Sequence, residues 1–182
     1  MNYVYSIAFA TIVVIFVWAR LKFFIPDKKT TKISLSFYDP AVAIHVIMTI
    51  YLSITNFPDN TSRAILAIAF LSLSLTIFTW SIRTANNFDL AFSNHINNLI
   101  TTGPFSLVRH PFYLSYILAW SSATLLFSSV ILWITLIYLT VYYYKAASRE
   151  ESVILLSDYS REYKTYCKRA GMFYPRIEKW KS

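Results

Sequence analysis

From Pro111 to Tyr144 the sequence carries no charged residue, and a lipid bilayer is the solvent in which such a run is stable. As one helix it would be about 50 Å long, against a hydrocarbon core of about 30 Å. The run therefore has to fold back on itself. Phe127-Ser128-Ser129, a polar interruption near its middle, is where a tight helical hairpin is expected to turn. Both hairpin ends then lie on one side of the membrane. Tyr138, Tyr142, Tyr143 and Tyr144 have the character of an interfacial aromatic belt, with Tyr138 deeper than the others.

Three more apolar runs precede the hairpin. The first extends from about Tyr3 to Ala19 and on toward Ile25, and no small-residue cleavage site follows it, so it reads as a span rather than a leader. Arg20, Lys22, Lys28, Lys29 and Lys32 then form a basic cluster of the kind retained in the cytoplasm. A second span is expected to begin after Pro40 and fade near Asn56-Phe57-Pro58. Pro58-Asp59-Asn60-Thr61-Ser62 has turn chemistry and suits an outside loop. A third span runs from about Ala64 to Trp80 and returns to the cytoplasm at Arg83. Five spans place the N-terminus outside and the C-terminus in the cytoplasm. Arg63 alone then falls outside, which leaves sixteen of the 17 Lys and Arg inside. A bacterial inner membrane and an endoplasmic reticulum fit this topology equally.

The expected fold is an all-α polytopic membrane protein with about five transmembrane helices, including a C-terminal helical hairpin. Residues 1–83 form an N-terminal part of three spans and residues 84–182 a second part holding the polar loop, the hairpin and the tail. Composition agrees: 56% of residues are hydrophobic and only 14% are charged, too few to cover a soluble domain of this size. Two glycines, Gly103 and Gly171, exclude Gly-rich phosphate-binding loops. The single Cys167 excludes an internal disulfide and a Cys-based zinc site, and no metal is expected. The net charge of +8 gathers beside the spans, so topology rather than nucleic-acid binding explains it. In the tail, Leu155, Tyr159, Tyr163, Tyr166 and Ala170 recur at helical spacing with Arg161, Lys164 and Lys168 off the stripe. That pattern predicts a cytoplasmic amphipathic helix lying on the membrane surface and able to roof a site there.

Two clusters carry possible chemistry. The first is Gly103-Pro104-Phe105-Ser106-Leu107-Val108-Arg109-His110-Pro111-Phe112-Tyr113, immediately before the hairpin. Taken singly, Pro111 suits the first turn of a helix, Arg109 a topology anchor and His110 an interfacial polar residue. The second is Arg149-Glu150-Glu151 at the end of the fifth span, where paired carboxylates more often form a solvated helix face. His45, a few residues into the second span, is an ionisable group in a membrane segment and a candidate for lining a lipid tunnel.

Taken together, Gly103, Pro104, Arg109, His110, Pro111 and Tyr113, then Glu150 and Glu151, then Glu162, Tyr163, Tyr166 and Pro175 resemble the isoprenylcysteine carboxyl methyltransferase family. Asn87-Phe88 is a weaker piece of the same pattern. The resemblance covers roughly Asn87 to Arg176. One departure is visible, since Tyr159-Ser160 stands where the family tends to have Phe-Gly. The resemblance implies that S-adenosylmethionine binds between the cytoplasmic ends of the hairpin and the C-terminal segment, leaving S-adenosylhomocysteine as product. It also implies that His110, Pro111, Tyr113 and Glu151 line the cofactor pocket, with Arg109 and Glu150 nearer the acceptor. The residue types suit that task. A carboxylate of Glu150 or Glu151 can hold the cofactor's ammonium, and the rings of Tyr113, Tyr163 or Tyr166 can face its sulfonium.

The most direct expectation is methylation of the carboxylate of a prenylated cysteine or a similar lipophilic acid, oriented by Arg109. An amine acceptor would instead need a base, Glu150 or His110. Integral membrane methyltransferases share much of this pattern, so it identifies the donor better than the acceptor. Phosphatidylethanolamine-type lipids and small thiols stay open as acceptors. A sterol-type reductase using NADPH and a non-enzymatic membrane scaffold are the remaining alternatives, the former usually longer and with more spans.

Overall fold

The computed structural model describes residues 2–23, 35–85 and 99–176; Lys28, Lys29, Lys32, Asn87-Phe88 and Asn94-His95 lie outside the described residues. Six α-helices follow in order: α1 (Asn2–Phe23), α2 (Leu35–Thr55), α3 (Thr61–Ala85), α4 (Pro111–Phe127), α5 (Val130–Leu155) and α6 (Ser160–Arg169). A 3-10 turn, Gly103–Ser106, lies among the described residues before α4. Tyr38–Thr55, Thr61–Ala85 and Val130–Leu155 are each long and apolar enough to cross a membrane, and Val4–Ala19 and Pro111–Phe127 are shorter apolar helices. Their outward faces carry exposed Ile47, Ile54, Ile65, Val130, Ile134 and Ile137. Water would penalise such a surface heavily, whereas lipid does not.

The helices hold together mainly through small residues. On α3, Ala64, Ala67, Leu71, Ser74, Phe78 and Ser81 are buried at intervals of three and four, and α4 answers with Ser115, Ala119, Ser122 and Ala123. Small side chains let backbones approach closely, which is how helices associate where lipid is as apolar as leucine. Short polar ties reinforce the contact: Ser74 donates to the Ser115 carbonyl at 2.7 Å and Ser122 to that of Ala67 at 2.9 Å. An aromatic layer of Phe16, Phe78, Tyr116 and Trp120 fills the space between α1, α3 and α4, with centroids 4.6 Å apart for Phe16 and Tyr116. His45 is enclosed within this core, 2.7 Å from the Thr135 hydroxyl and beside the Trp120 ring. The Thr135 hydroxyl donates to backbone carbonyls of its own helix, so its oxygen accepts from His45 Nδ1. The other His45 ring nitrogen, Nε2, is buried without a hydrogen-bond partner among the described residues.

The hairpin turns at Ser128-Ser129, as the charge-free run requires. Ser128 adopts φ 52° and ψ 29°, and its N–H caps α4 on the Thr124 carbonyl. Asn60 begins α3 by accepting the Arg63 N–H at 3.0 Å, a side-chain cap for an otherwise orphaned donor.

Two boundaries differ from expectation. The helix that carries the second span starts at Leu35, with Pro40 inside it rather than ahead of it. The extra turn brings Tyr38 onto α5, where its ring stacks on Tyr142 at 4.8 Å and its hydroxyl meets that of Tyr143 at 3.1 Å. The apolar stripe from Leu155 to Ala170 is not one helix, because α5 ends at Leu155 and residues 156–159 make a turn before α6. In that turn the Ser160 N–H reaches the Ser157 carbonyl at 3.1 Å. Ser160, which stands where the family tends to have glycine, is the first residue of α6 and has no positive φ, so the position does not require the conformational freedom of a glycine.

The left-handed turn supplies a direct test. Ser128→Val should lower stability by about 1–2 kcal/mol, whereas Ser128→Gly should not. Unfolding titrations in mixed micelles would measure both, and equal losses would show that the turn does not constrain the hairpin.

Candidate active site

The segment before α4 is shaped by its glycine and by the returning tail. Gly103 has φ +57°, and a Cβ there would lie 2.4 Å from the Thr84 hydroxyl of α3. Residues 108–110 then run alongside residues 171–172 as a short parallel pairing. Arg109 N–H donates to the Gly171 carbonyl at 2.7 Å and His110 N–H to that of Met172 at 3.2 Å. The Tyr166 hydroxyl of α6 donates to the Phe105 carbonyl at 2.6 Å. Pro111 is fully buried and starts α4, its missing N–H costing nothing at that position.

The side chains so positioned meet the last turns of α5. Glu151 Oε1 accepts from Arg109 Nε at 2.8 Å and lies 3.0 Å from His110 Nε2. Arg109 also donates from Nη1 to the Ala170 carbonyl at 2.7 Å. The other imidazole nitrogen, Nδ1, is 3.5 Å from Glu150 Oε2. A carboxylate can only accept, so an imidazole flanked by two of them is held doubly protonated. Burial opposes that charge, but hydrogen bonds and attraction from Glu150 and Glu151 outweigh it and raise the His110 pKa above its ordinary 6.5. Two cations and two anions thus nearly neutralise one another.

Aromatic rings close the inner side. Tyr113 donates its hydroxyl to Glu150 Oε1 and stacks between His110 at 5.8 Å and Tyr143 at 5.4 Å. Tyr143 in turn meets Tyr38 and the Trp120 N–H, each at 3.1 Å. Phe173 sets its ring at a steep angle to His110. Tyr163 and Tyr166 are buried, with rings 5.9 Å apart. Burial, and then the negative charge of Glu151, push the Tyr163 phenol up, so it remains neutral. Its buried hydroxyl faces that region with no well-formed hydrogen bond.

All eight residues expected from sequence therefore converge: Arg109, His110, Pro111, Tyr113, Glu150, Glu151, Tyr163 and Tyr166. The segment 170–173 went unforeseen, since its part is played by backbone carbonyls and one ring. Gly171 was the available signal, one of two glycines in the chain. A Cβ there would lie 1.9 Å from the Tyr174 carbonyl oxygen. The residues fit S-adenosylmethionine in kind: Glu150 retains 31% exposure and aromatic faces stand beside it.

A sequence model of the family described as phospholipid methyltransferase matches residues 62–162, more than half of the chain. It spans α3, the cluster, the hairpin and the start of α6. That family stands alongside the isoprenylcysteine carboxyl methyltransferases among integral membrane methyltransferases. No curated protein matches the chain.

Two expectations follow from the cluster. Because pairing raises the His110 pKa, its contribution to stability is fully present below pH 6.5 and is lost as pH rises through the higher folded-state value. The stability difference between the natural chain and His110→Gln should therefore shrink on going alkaline; a difference constant from pH 6 to 10 would exclude a charged imidazole. Gly171→Ala should destabilise by about 1–3 kcal/mol, because residues 171–174 must shift and loosen the backbone bonds to Arg109 and His110. Thermal unfolding in detergent would detect either effect.

Proposed function

We propose, since the chain belongs to the phospholipid methyltransferase family, that it transfers a methyl group from S-adenosylmethionine to the amine of a membrane lipid, with Glu150 accepting the amine's proton. The observation that carries this reading is the unequal state of two adjacent carboxylates. Glu151 is 15% exposed and engaged by Arg109 and His110, whereas Glu150 is 31% exposed and meets the Tyr113 hydroxyl and, more distantly, His110.

A lipid amine is protonated at neutral pH, with a pKa of about 10 for an alkylammonium, and its nitrogen then has no lone pair. The Glu150 carboxylate attracts the ammonium and takes one proton from it, and its exposed side passes that proton to water. S-adenosylmethionine supplies the electrophilic methyl group. His110 is held as the imidazolium and is poorly placed to serve as base, which leaves that role to Glu150. Glu151 positions Arg109 and His110. The set His110, Pro111, Tyr113, Glu151, Tyr163 and Tyr166 would hold the donor, and its aromatic rings would suit a positive sulfur. The soluble donor arrives from the cytosol and the greasy acceptor sideways from the bilayer.

The second reading, methylation of a prenylcysteine carboxylate, is favoured by the position of Arg109 within the cluster. Two of its three guanidinium nitrogens are already engaged by Glu151 and Ala170, which weakens it as a clamp for another carboxylate.

The deciding assay offers labelled S-adenosylmethionine with phosphatidylethanolamine, a farnesylcysteine analogue or a simple thiol. A base-stable label on phosphatidylethanolamine is expected, and Glu150→Gln should lower kcat by about 10²–10⁴-fold. A base-labile ester on the prenylcysteine would replace the amine reading, and an unchanged kcat in Glu150→Gln would remove Glu150 as base. Glu151→Ala should weaken binding of S-adenosylhomocysteine; unchanged binding would place the donor elsewhere.

A further inference from the structure

A cavity of about 590 Å³ lies outside the carboxylate cluster, between residues 99–106 and α6. Arg161, Thr165 and Arg169 succeed one another at intervals of four, so one face of α6 supplies both guanidinium groups. The opposite wall brings Leu99, Thr101 and Ser106. Glu162 also lines the cavity, so its charged groups sum to two positive and one negative, a net single positive charge. Tyr166 forms the floor and joins the two sites, since its hydroxyl holds the Phe105 carbonyl just before Arg109.

We propose that this cavity holds the phosphodiester of a membrane phospholipid. The guanidinium fork matches two phosphate oxygens, and the single net charge suits a diester's one negative charge better than the nearly two of a phosphate monoester. The hydroxyls of Ser106 and Thr165 rest on the carbonyls of Gly103 and Arg161 and can rotate to donate to a bound oxygen. Four residues separate the end of α5 from α6, so the cavity lies just beyond the end of a helix long and apolar enough to cross a membrane. Leu99 and the Tyr166 ring give the glycerol carbons an apolar surface. The identity of this lipid as the methyl acceptor rests on the amine reading above; occupancy by a phosphodiester does not.

The test is binding, read without turnover. The full chain in neutral detergent is titrated with short-chain dihexanoyl-phosphatidylethanolamine, with dihexanoylglycerol, which lacks the phosphate, and with inorganic phosphate. The phospholipid should bind, dihexanoylglycerol should bind at least roughly tenfold more weakly, and Arg161→Gln with Arg169→Gln should weaken the phospholipid by a similar factor. Lys168→Gln removes an exposed neighbouring charge that does not line the cavity and should leave the affinity unchanged. Equal affinity in the double variant, or an equal loss in Lys168→Gln, would overturn the proposal. Arginine-dependent binding of inorganic phosphate without binding of the phospholipid would assign the cavity to free phosphate and overturn its lipid occupant. Arginine-dependent phospholipid binding by a chain that methylates no lipid amine would uphold this site while removing the reading of the adjacent one.

Discussion

The Glu151 carboxylate ties the segment before α4 to the end of α5. It sits on the last turns of α5 and receives Arg109 and His110 from the segment before α4, while Arg109 reaches on to the Ala170 carbonyl at the end of α6. Each of these groups would be costly to bury alone. Grouped as two cations with two anions, they can occupy a partly enclosed place at the edge of an apolar bundle, and the backbone pairing of residues 108–110 with 171–172 then follows. The rest of the site is arranged around that neutrality. Tyr113 leans on Glu150, Phe173 on His110, and α6 is drawn in far enough to bury Tyr163 and Tyr166.

Much of the architecture was legible because a bilayer imposes simple rules. A charge-free run too long for one crossing has to turn, and the polar pair Ser128-Ser129 marks the place. What was misread concerns packing. Pro40 resembles the start of a helix, yet the stacking of Tyr38 on Tyr142 draws another turn of α2 onto α5. The stripe from Leu155 to Ala170 has a helical period, but a period does not register that residues 156–159 redirect the chain.

The site divides in the same way. Arg109, His110, Tyr113, Glu150 and Glu151 are visible in sequence through the combined motif that resembles the isoprenylcysteine carboxyl methyltransferase family, since taken singly each has an ordinary structural explanation. Their pairing is not visible, and the pairing separates the two carboxylates: one is consumed in holding the site together and the other is left open. Ala170 and Met172 act through main-chain carbonyls, which any residue type can offer, so only the steric demand at Gly171 marked that stretch. The arginines of α6 look like an ordinary solvated face until the structure sets residues 99–106 opposite them.

The pairing of residues 108–110 with 171–172 also orders events during synthesis. Sixty-one residues separate Arg109 from Ala170, and the intervening hairpin must enter the membrane before the two can meet. At about 5–20 residues per second, the ribosome needs several seconds to supply them. Arg109 is followed by Glu151 after 42 residues and by Ala170 only after 61, so the carboxylates in turn await residues 170–172. The bundle can insert and pack from its own hydrophobic surfaces, but the cluster around Glu151 is completed last. A nascent chain therefore has its apolar helices before it has its completed charged cluster.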